Sequence, residues 1–312
     1  RLAATIVVGQ QLLVKRYLPD GTLDTNFGNN GTAYSNLPPY TRYVGFPRAY
    51  PDENDGVVVA ITINHSYFSL NRYYIYVVRF RSDGSIDHSF GNNGGVYLSY
   101  GSGDSRCTHL SILPDGKILV TGYGSAFAPP ISPAIETIAL ARLHVDGSLD
   151  STFGISGVAY LPPAINSVWS LTSTYYPDSR IVSAGSGFFE MFAPNQMIVA
   201  RFLPDGQIDQ SFGPSPGQVI LDANPLSGVV EQLALQSDGK ILAAGQNGNT
   251  AAVFRLLEDG RIDVDFGNMG AFRFQNGHYP CKIIVLEDSG LLFVNSYSYP
   301  SGESAISFLR LD

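Results

Sequence analysis

Two residues recur along this chain at a spacing that could do chemistry. An Arg stands at 16, 79, 142, 201, 255 and 310. An Asp follows eight residues after five of them, at Asp24, Asp87, Asp150, Asp209 and Asp263. An Arg and a carboxylate can bind an anion, orient a base or simply hold each other. One such pair in each of several repeats does not resemble an active site, where a single constellation is needed. A structural role is therefore expected: the Asp caps a single helical turn ahead of Phe27, Phe90, Phe153, Phe212 or Phe266, and the Arg pairs with that Asp or with loop carbonyls. A calcium site is the alternative, but DGSLD lacks the D-x-D-x-D-G ligand spacing.

Other catalytic signatures are missing from the sequence. The five histidines, His65, His88, His109, His144 and His278, form no HExxH and no close pair with Cys. There is no G-x-S-x-G and no P-loop. No metal and no cofactor are expected. The only cysteines are Cys107 and Cys281. They fall in repeats three and six, opposite each other in a ring of six, too far apart for a disulfide. Two free thiols are expected.

The elements that carry these residues are read from a repeat. RYLPDGTLDTNFG at 16–28 returns as RFRSDGSIDHSFG at 79–91, RLHVDGSLDSTFG at 142–154, RFLPDGQIDQSFG at 201–213 and RLLEDGRIDVDFG at 255–267. A sixth copy starts at Phe308 and ends with the chain. Upstream of each lies a strand-like run such as KILVTG at 117–122 or KILAAG at 240–245. Asp-Gly and Asp-Ser turns precede most of these runs.

Each repeat parses as four strands, a to d, in an antiparallel meander. The b and c runs are apolar on both faces, as expected of strands covered on both sides. No stretch keeps a helical period. The expected fold is all-β: a β-propeller of about six four-stranded antiparallel blades around a central channel. The blades are expected at about 1–36, 41–99, 106–162, 167–222, 228–275 and 280–312, in one domain spanning 1–312. The first lacks its a strand and the sixth its d strand, so flanking domains of a longer parent chain are expected.

The signature LAR(L/F)xxDGSLDxxFGxxG, with its upstream PDGKILVxG, resembles the delta-sixty repeat of bacterial propeller-like proteins. It is similar, more loosely, to NHL-type blades. The resemblance implies architecture and a bacterial surface or secreted setting. It implies no enzymatic activity.

Function is then sought on the variable face. The b–c connections differ in length and are rich in aromatics, whereas the opposite face is a uniform set of turns. A ligand face is expected at Tyr67, Phe68, Tyr73, Phe127, Phe188, Phe189, Phe192, Tyr297 and Tyr299, because variable loops on a rigid scaffold usually carry binding. The reading that follows is a non-enzymatic secreted or cell-surface module that binds a glycan or a protein and serves adhesion. Two alternatives stay open: a lactonase- or lyase-type enzyme at the channel mouth, and a structural unit of a surface array or fibre. The net charge of −8 argues against nucleic acid and anionic membranes. No apolar run is long enough for a transmembrane helix, so no membrane insertion is expected.

Overall fold

A computed structural model describes residues 2–65, 72–101, 103–125, 136–161, 167–188, 196–215, 217–221, 228–247, 250–274, 278–286, 290–298 and 304–311. The described residues form β-strands, turns and bends, with no helix among them. Accordingly no described helix is long and apolar enough to cross a membrane. The chain divides into two compact units, Arg1–Tyr160 and Leu161–Asp312.

The first unit holds three sheets, each in chain order. The first is Leu2–Val8, Gln11–Tyr17 and Thr32–Asn36. In the second, Val57–His65 pairs with Arg72–Phe80, which pairs with Gly95–Leu98. Two short segments, Thr41–Tyr43 and Arg48–Pro51, share the other edge of Val57–His65. The third is Ser105–Ile112, Ile118–Ser125, Glu136–Leu143 and Val158–Tyr160.

The second unit repeats the plan. Its sheets are Ser167–Tyr175, Ile181–Phe188, Gln196–Phe202 and Gln218–Leu221; then Gly228–Leu235, Ile241–Asn247, Thr250–Leu256 and Ala271–Arg273; then His278–Val285, Leu291–Ser298 and Ser304–Leu311. All neighbours are antiparallel.

Burial on both faces explains the apolar b and c runs. In the first unit, Leu12, Val14 and Phe27 pack against Val57, Val59, Ile61 and Ile63 of the next sheet. The other face of that sheet, with Val58, Ala60, Ile75 and Val77, packs against Leu110, Ile112, Ile118 and Val120. In the second unit, Val182, Ala184 and Val199 meet Val230, Leu233, Ile241 and Ala243. Leu242, Ala244 and Val253 then meet Ile283, Leu291 and Phe293. Each meander buries its faces only against another meander, which is why one copy of the repeat would not stand alone.

The a strands carry a recurring irregularity. Their pairing with the b strand slips by a residue between Thr121 and Gly122, between Val230 and Gln232, and between Pro280 and Lys282. A bulge of this kind frees a backbone N–H from the ladder. The preceding sheet supplies the acceptor: Thr62 Oγ1 takes the N–H of Cys107 at 3.0 Å and Ser186 Oγ that of Val230 at 2.8 Å. Gln232 both donates to the Ile283 carbonyl and accepts from its N–H. Gly122 and Gly245 sit opposite the bulge, where a Cβ would run into the carbonyls of Arg106 and Val229. That contact explains the final Gly of KILVTG and KILAAG. Cys107 is a free, buried thiol whose pKa burial pushes up to about 12; the side chain of Cys281 lies outside the described residues.

Candidate functional site

The recurring Arg and Asp meet in every complete copy. Arg Nε donates to the Asp Oδ2 at 2.9 Å for Arg16–Asp24, 2.8 Å for Arg79–Asp87, 2.8 Å for Arg142–Asp150, 2.7 Å for Arg201–Asp209 and 2.8 Å for Arg255–Asp263. The guanidinium also lies over the Phe that closes the loop, 4.4–4.7 Å from the ring centroid in all five. The other Asp oxygen accepts from the residue two further on, as at Ser89, Thr152 and Ser211. The turn it caps is one hydrogen bond from the Phe N–H back to the Asp carbonyl, 3.0 Å in each, and not a helical turn. Arg310, in the copy the chain leaves unfinished, is exposed.

The module reaches the next sheet. Arg16 donates to the carbonyl of Asp55, Arg79 to that of Val145 and Arg201 to that of Glu258. Beside it, the N–H groups of Gly28, Gly91 and Gly213 donate to the carbonyls of Asp83, Asp146 and Asp259, at 2.7–2.8 Å. The Gly of each receiving Asp-Gly turn has positive φ and lies against the previous loop. A Cβ on Gly84 would strike the Gly28 backbone, and one on Gly147 or Gly260 would press into Phe90 or Phe212. Lys117 and Lys240 add a second cation to Asp150 and Asp263, at 3.2 Å and 3.3 Å. With oxygens this fully engaged, the carboxylates serve the scaffold and have little left to offer a substrate.

Of the nine aromatics expected on the ligand face, only Tyr73 has a described side chain. Its N–H donates to Asp104 Oδ1 at 3.1 Å, and the Arg106 guanidinium sits 3.9 Å from its ring centroid. Phe188 and Tyr297 lie at strand ends, with side chains outside the described residues. Tyr67, Phe68, Phe127, Phe189, Phe192 and Tyr299 lie outside them altogether.

A concave site does exist in the first unit, at residues the sequence reading passed over. A groove of about 990 Å³ is lined by Asn36–Pro39, Tyr76, Asn92, Asn93, Tyr97 and the turn Asp146–Leu149, among others. Tyr76 and Tyr97 are cross-strand partners with ring centroids 5.4 Å apart. Tyr97 is 53% exposed, and Tyr76 packs on the core below. Gly95 leaves room for that packing, since a Cβ there would collide with the Tyr76 hydroxyl. Burial raises the pKa of both phenols, so they stay protonated and can donate. The Ser148 hydroxyl and N–H bind Asp146 and lower its pKa, which keeps the one carboxylate of the lining ionised. Aromatic rings ringed by amides and one acid make a surface for an uncharged polar ligand with an apolar face.

Residues 65–90, 113–153, 177–212 and 236–266 match the model of a family described as "Domain of unknown function (DUF5122) beta-propeller". The chain is built from β-propeller repeats. No curated protein sequence matches it. Among solved structures it is similar to an α-L-arabinofuranosidase from Fusarium graminearum, at 10% identity and a TM-score of 0.44 over 88% of this chain and 93% of that one. It is also similar to an α-L-arabinanase from Penicillium chrysogenum, at 13% identity and a TM-score of 0.42 over 88% and 94%. A xylan β-1,4-xylosidase from Bacillus halodurans follows at 12% and 0.39 over 97% of this chain. This chain spans about half of that xylosidase, 54% of its length. All three are named as enzymes acting on glycosides. That finding corrects the expectation of a non-enzymatic binding or adhesion module. The reason the sequence misled is physical: a propeller's repeat encodes how blades pack, and the same packing underlies enzymes and binders alike.

Proposed function

We propose that this chain is a carbohydrate-active β-propeller that takes a neutral glycan, as substrate or ligand, in the groove of its first unit. The observation that carries this reading is the exposed Tyr97 ring beside Tyr76, framed by Asn36, Asn92, Asn93 and Asp146. A pyranose or furanose ring presents an apolar C–H face to a phenol and hydroxyls to amides and carboxylates. The groove is at the upper end of the roughly 300–1,000 Å³ common for small-ligand sites, so several sugar units fit better than one. The ionised Asp146 disfavours acidic glycans. A secreted or surface setting, which the delta-sixty resemblance implies, would bring the groove to extracellular polymers of this kind.

Affinity electrophoresis through gels containing neutral plant and microbial polysaccharides tests the site, with release of reducing ends measured in parallel. The wild type should be retarded by at least one of them. Tyr97→Ala should weaken that retardation by about tenfold, the loss of one stacked ring being worth on the order of 1 kcal/mol. Its melting temperature should hardly change, because the ring is half in water. Retardation of the variant equal to the wild type, or of the wild type by no polysaccharide, would remove the groove from consideration.

The repeat also runs through the boundary between the two units without interruption, at a spacing between those of its neighbours. Gly147 and Gly206 are 59 residues apart, against 63 between Gly84 and Gly147 and 54 between Gly206 and Gly260. On that ground we read the six sheets as six blades of one delta-sixty-type propeller domain. A single cooperative unfolding transition is expected by calorimetry; two separable transitions would refute it.

A further inference from the structure

Most described arginines are held by a carboxylate, as Arg142 is by Asp150 and Arg180 by Asp178 and Glu258. Arg42, Arg48, Arg72 and Arg106 have no carboxylate partner among the described residues. All four belong to the second and third sheets of the first unit. The sequence around them is poor in acid. Segments 37–48, 64–73, 99–106 and 122–136, which connect the strands at that end, contain these four arginines and only two acids, Asp104 and Glu136, in a chain whose net charge is −8. The Glu136 side chain lies outside the described residues.

Three of the four converge on the seam between the two sheets. Arg42 pairs across the ladder with Asn64, and Asn64 with Tyr73, so these side chains share one face of the second sheet. Thr62 lies on the same face and accepts the Cys107 N–H of the third sheet, which marks it as the face toward that sheet. Arg48 pairs with Ala60, again on this face, and its Nε donates to the Thr108 carbonyl at 2.6 Å. From the third sheet, the Arg106 guanidinium lies over the Tyr73 ring, 3.9 Å from its centroid. Arg42 and Tyr73 are two strands apart, roughly 10 Å at the backbone, so the Arg42 and Arg106 side chains can reach one ligand. Asp104 accepts the Tyr73 N–H at 3.1 Å. Arg72 is committed to the carbonyls of Gly101 and Gly103. Arg42 and Arg48 are exposed and Arg106 is half-buried.

We propose that Arg42, Arg48 and Arg106 form a second binding site in the first unit, for an oxyanion: the carboxylate of an acidic sugar, or free phosphate or sulfate. Guanidinium groups gathered without a countercharge repel one another. A planar or tetrahedral oxyanion relieves that repulsion and accepts paired N–H bonds from the Arg forks. Tyr73 and the Thr108 carbonyl hold two of the three forks in place before the ligand arrives, which lowers the ordering cost of binding. The site is separate from the groove at Tyr97. Tyr76 pairs with Ile61 and packs toward the first sheet, on the opposite face of the second sheet, so the inference stands whether or not a neutral glycan binds there.

Isothermal titration calorimetry on the full chain tests this at about 20 mM ionic strength, where surface charges are weakly screened. Sodium phosphate, sodium sulfate and trigalacturonate are titrated separately. At least one should bind with Kd of about 1 mM or tighter. Arg42→Gln and Arg106→Gln should each weaken that binding about fivefold or more, by loss of a charged hydrogen-bond donor. Arg42 is exposed, so its variant keeps the fold. Arg273→Gln removes the same charge from an exposed strand position in the second unit and should leave the affinity unchanged, as should Tyr97→Ala. Binding of trigalacturonate alone would make the ligand an acidic sugar, and binding of phosphate or sulfate alone a free anion. Binding of none of the three probes overturns the proposal. So does an affinity that the Arg42 and Arg106 variants leave unchanged, or one that Arg273→Gln weakens equally.

Discussion

Asp150→Ala should lower the unfolding free energy by about 3–5 kcal/mol, the usual cost of removing one partner from a buried ion pair. The carboxylate is 1% exposed and holds Arg142, Lys117 and Thr152 together. Without it, the Arg142 guanidinium stays buried over Phe153 with no countercharge. Urea unfolding at pH 7 measures the loss, and a change under about 1 kcal/mol would mean that the Arg–Phe stacking alone holds the loop. The same carboxylates set the response to acid. At Asp87 and Asp150 burial pulls the pKa upward, and hydrogen bonds from Ser89 and Arg79, or Thr152 and Lys117, overcome it and hold the group well below the ordinary range. Asp209 and Asp263 are also lowered. A folded-state pKa below the unfolded value of about 3.9 gives stability that is complete above that value and drains away as pH falls toward the folded one. Stability should therefore be nearly flat from pH 8 to pH 5 and fall steeply below about pH 4. Asp150→Asn should flatten part of that fall.

Gly84→Ala should cost roughly 2–5 kcal/mol, from two sources that add. Positive φ, here 83°, costs an L side chain about 1–2 kcal/mol. The new methyl would also meet the Gly28 backbone, and overpacking a contact of this kind costs about 1–3 kcal/mol. The Gly28 N–H bond to the Asp83 carbonyl, 2.8 Å long, cannot survive the shift that relieves the clash. Gly21→Ala is the control. It has the same φ of 83° and nothing within 4 Å of the added methyl, so it should lose only the backbone term. Equal losses in the two variants would show that the close approach contributes nothing.

The division between what was legible in the sequence and what was not follows the range of the interactions. The turns and the strands are local, and the repeat displays each several times. The Arg–Asp pairs span eight residues and were legible as well. The links from Arg16 to Asp55 and from Arg79 to Val145 cross 39 and 66 residues, and nothing in the motif says which neighbour is touched. The split edge at Thr41–Tyr43 and Arg48–Pro51 was read as one strand, although Gly45 and Pro47 stand between the halves. The groove was missed for a different reason. Tyr76 and Tyr97 sit inside strands, where sequence alternation says only that they share a face once the hairpin register is known. The rest of the lining comes from the loop that leads into the Tyr97 strand, with Asn92 and Asn93, and from segments of two other repeats.

The latch between sheets uses the same atoms at each junction where it is seen: a guanidinium and a loop N–H on one repeat, the carbonyls of a tight turn on the next. A gene segment encoding one repeat therefore carries both halves of its own fastening. When such a segment is duplicated, the new copy arrives already compatible with its neighbours on either side. Lineages can lengthen or shorten such a protein by unequal recombination without first evolving a new contact, and the strand-borne residues between latches stay free to diverge.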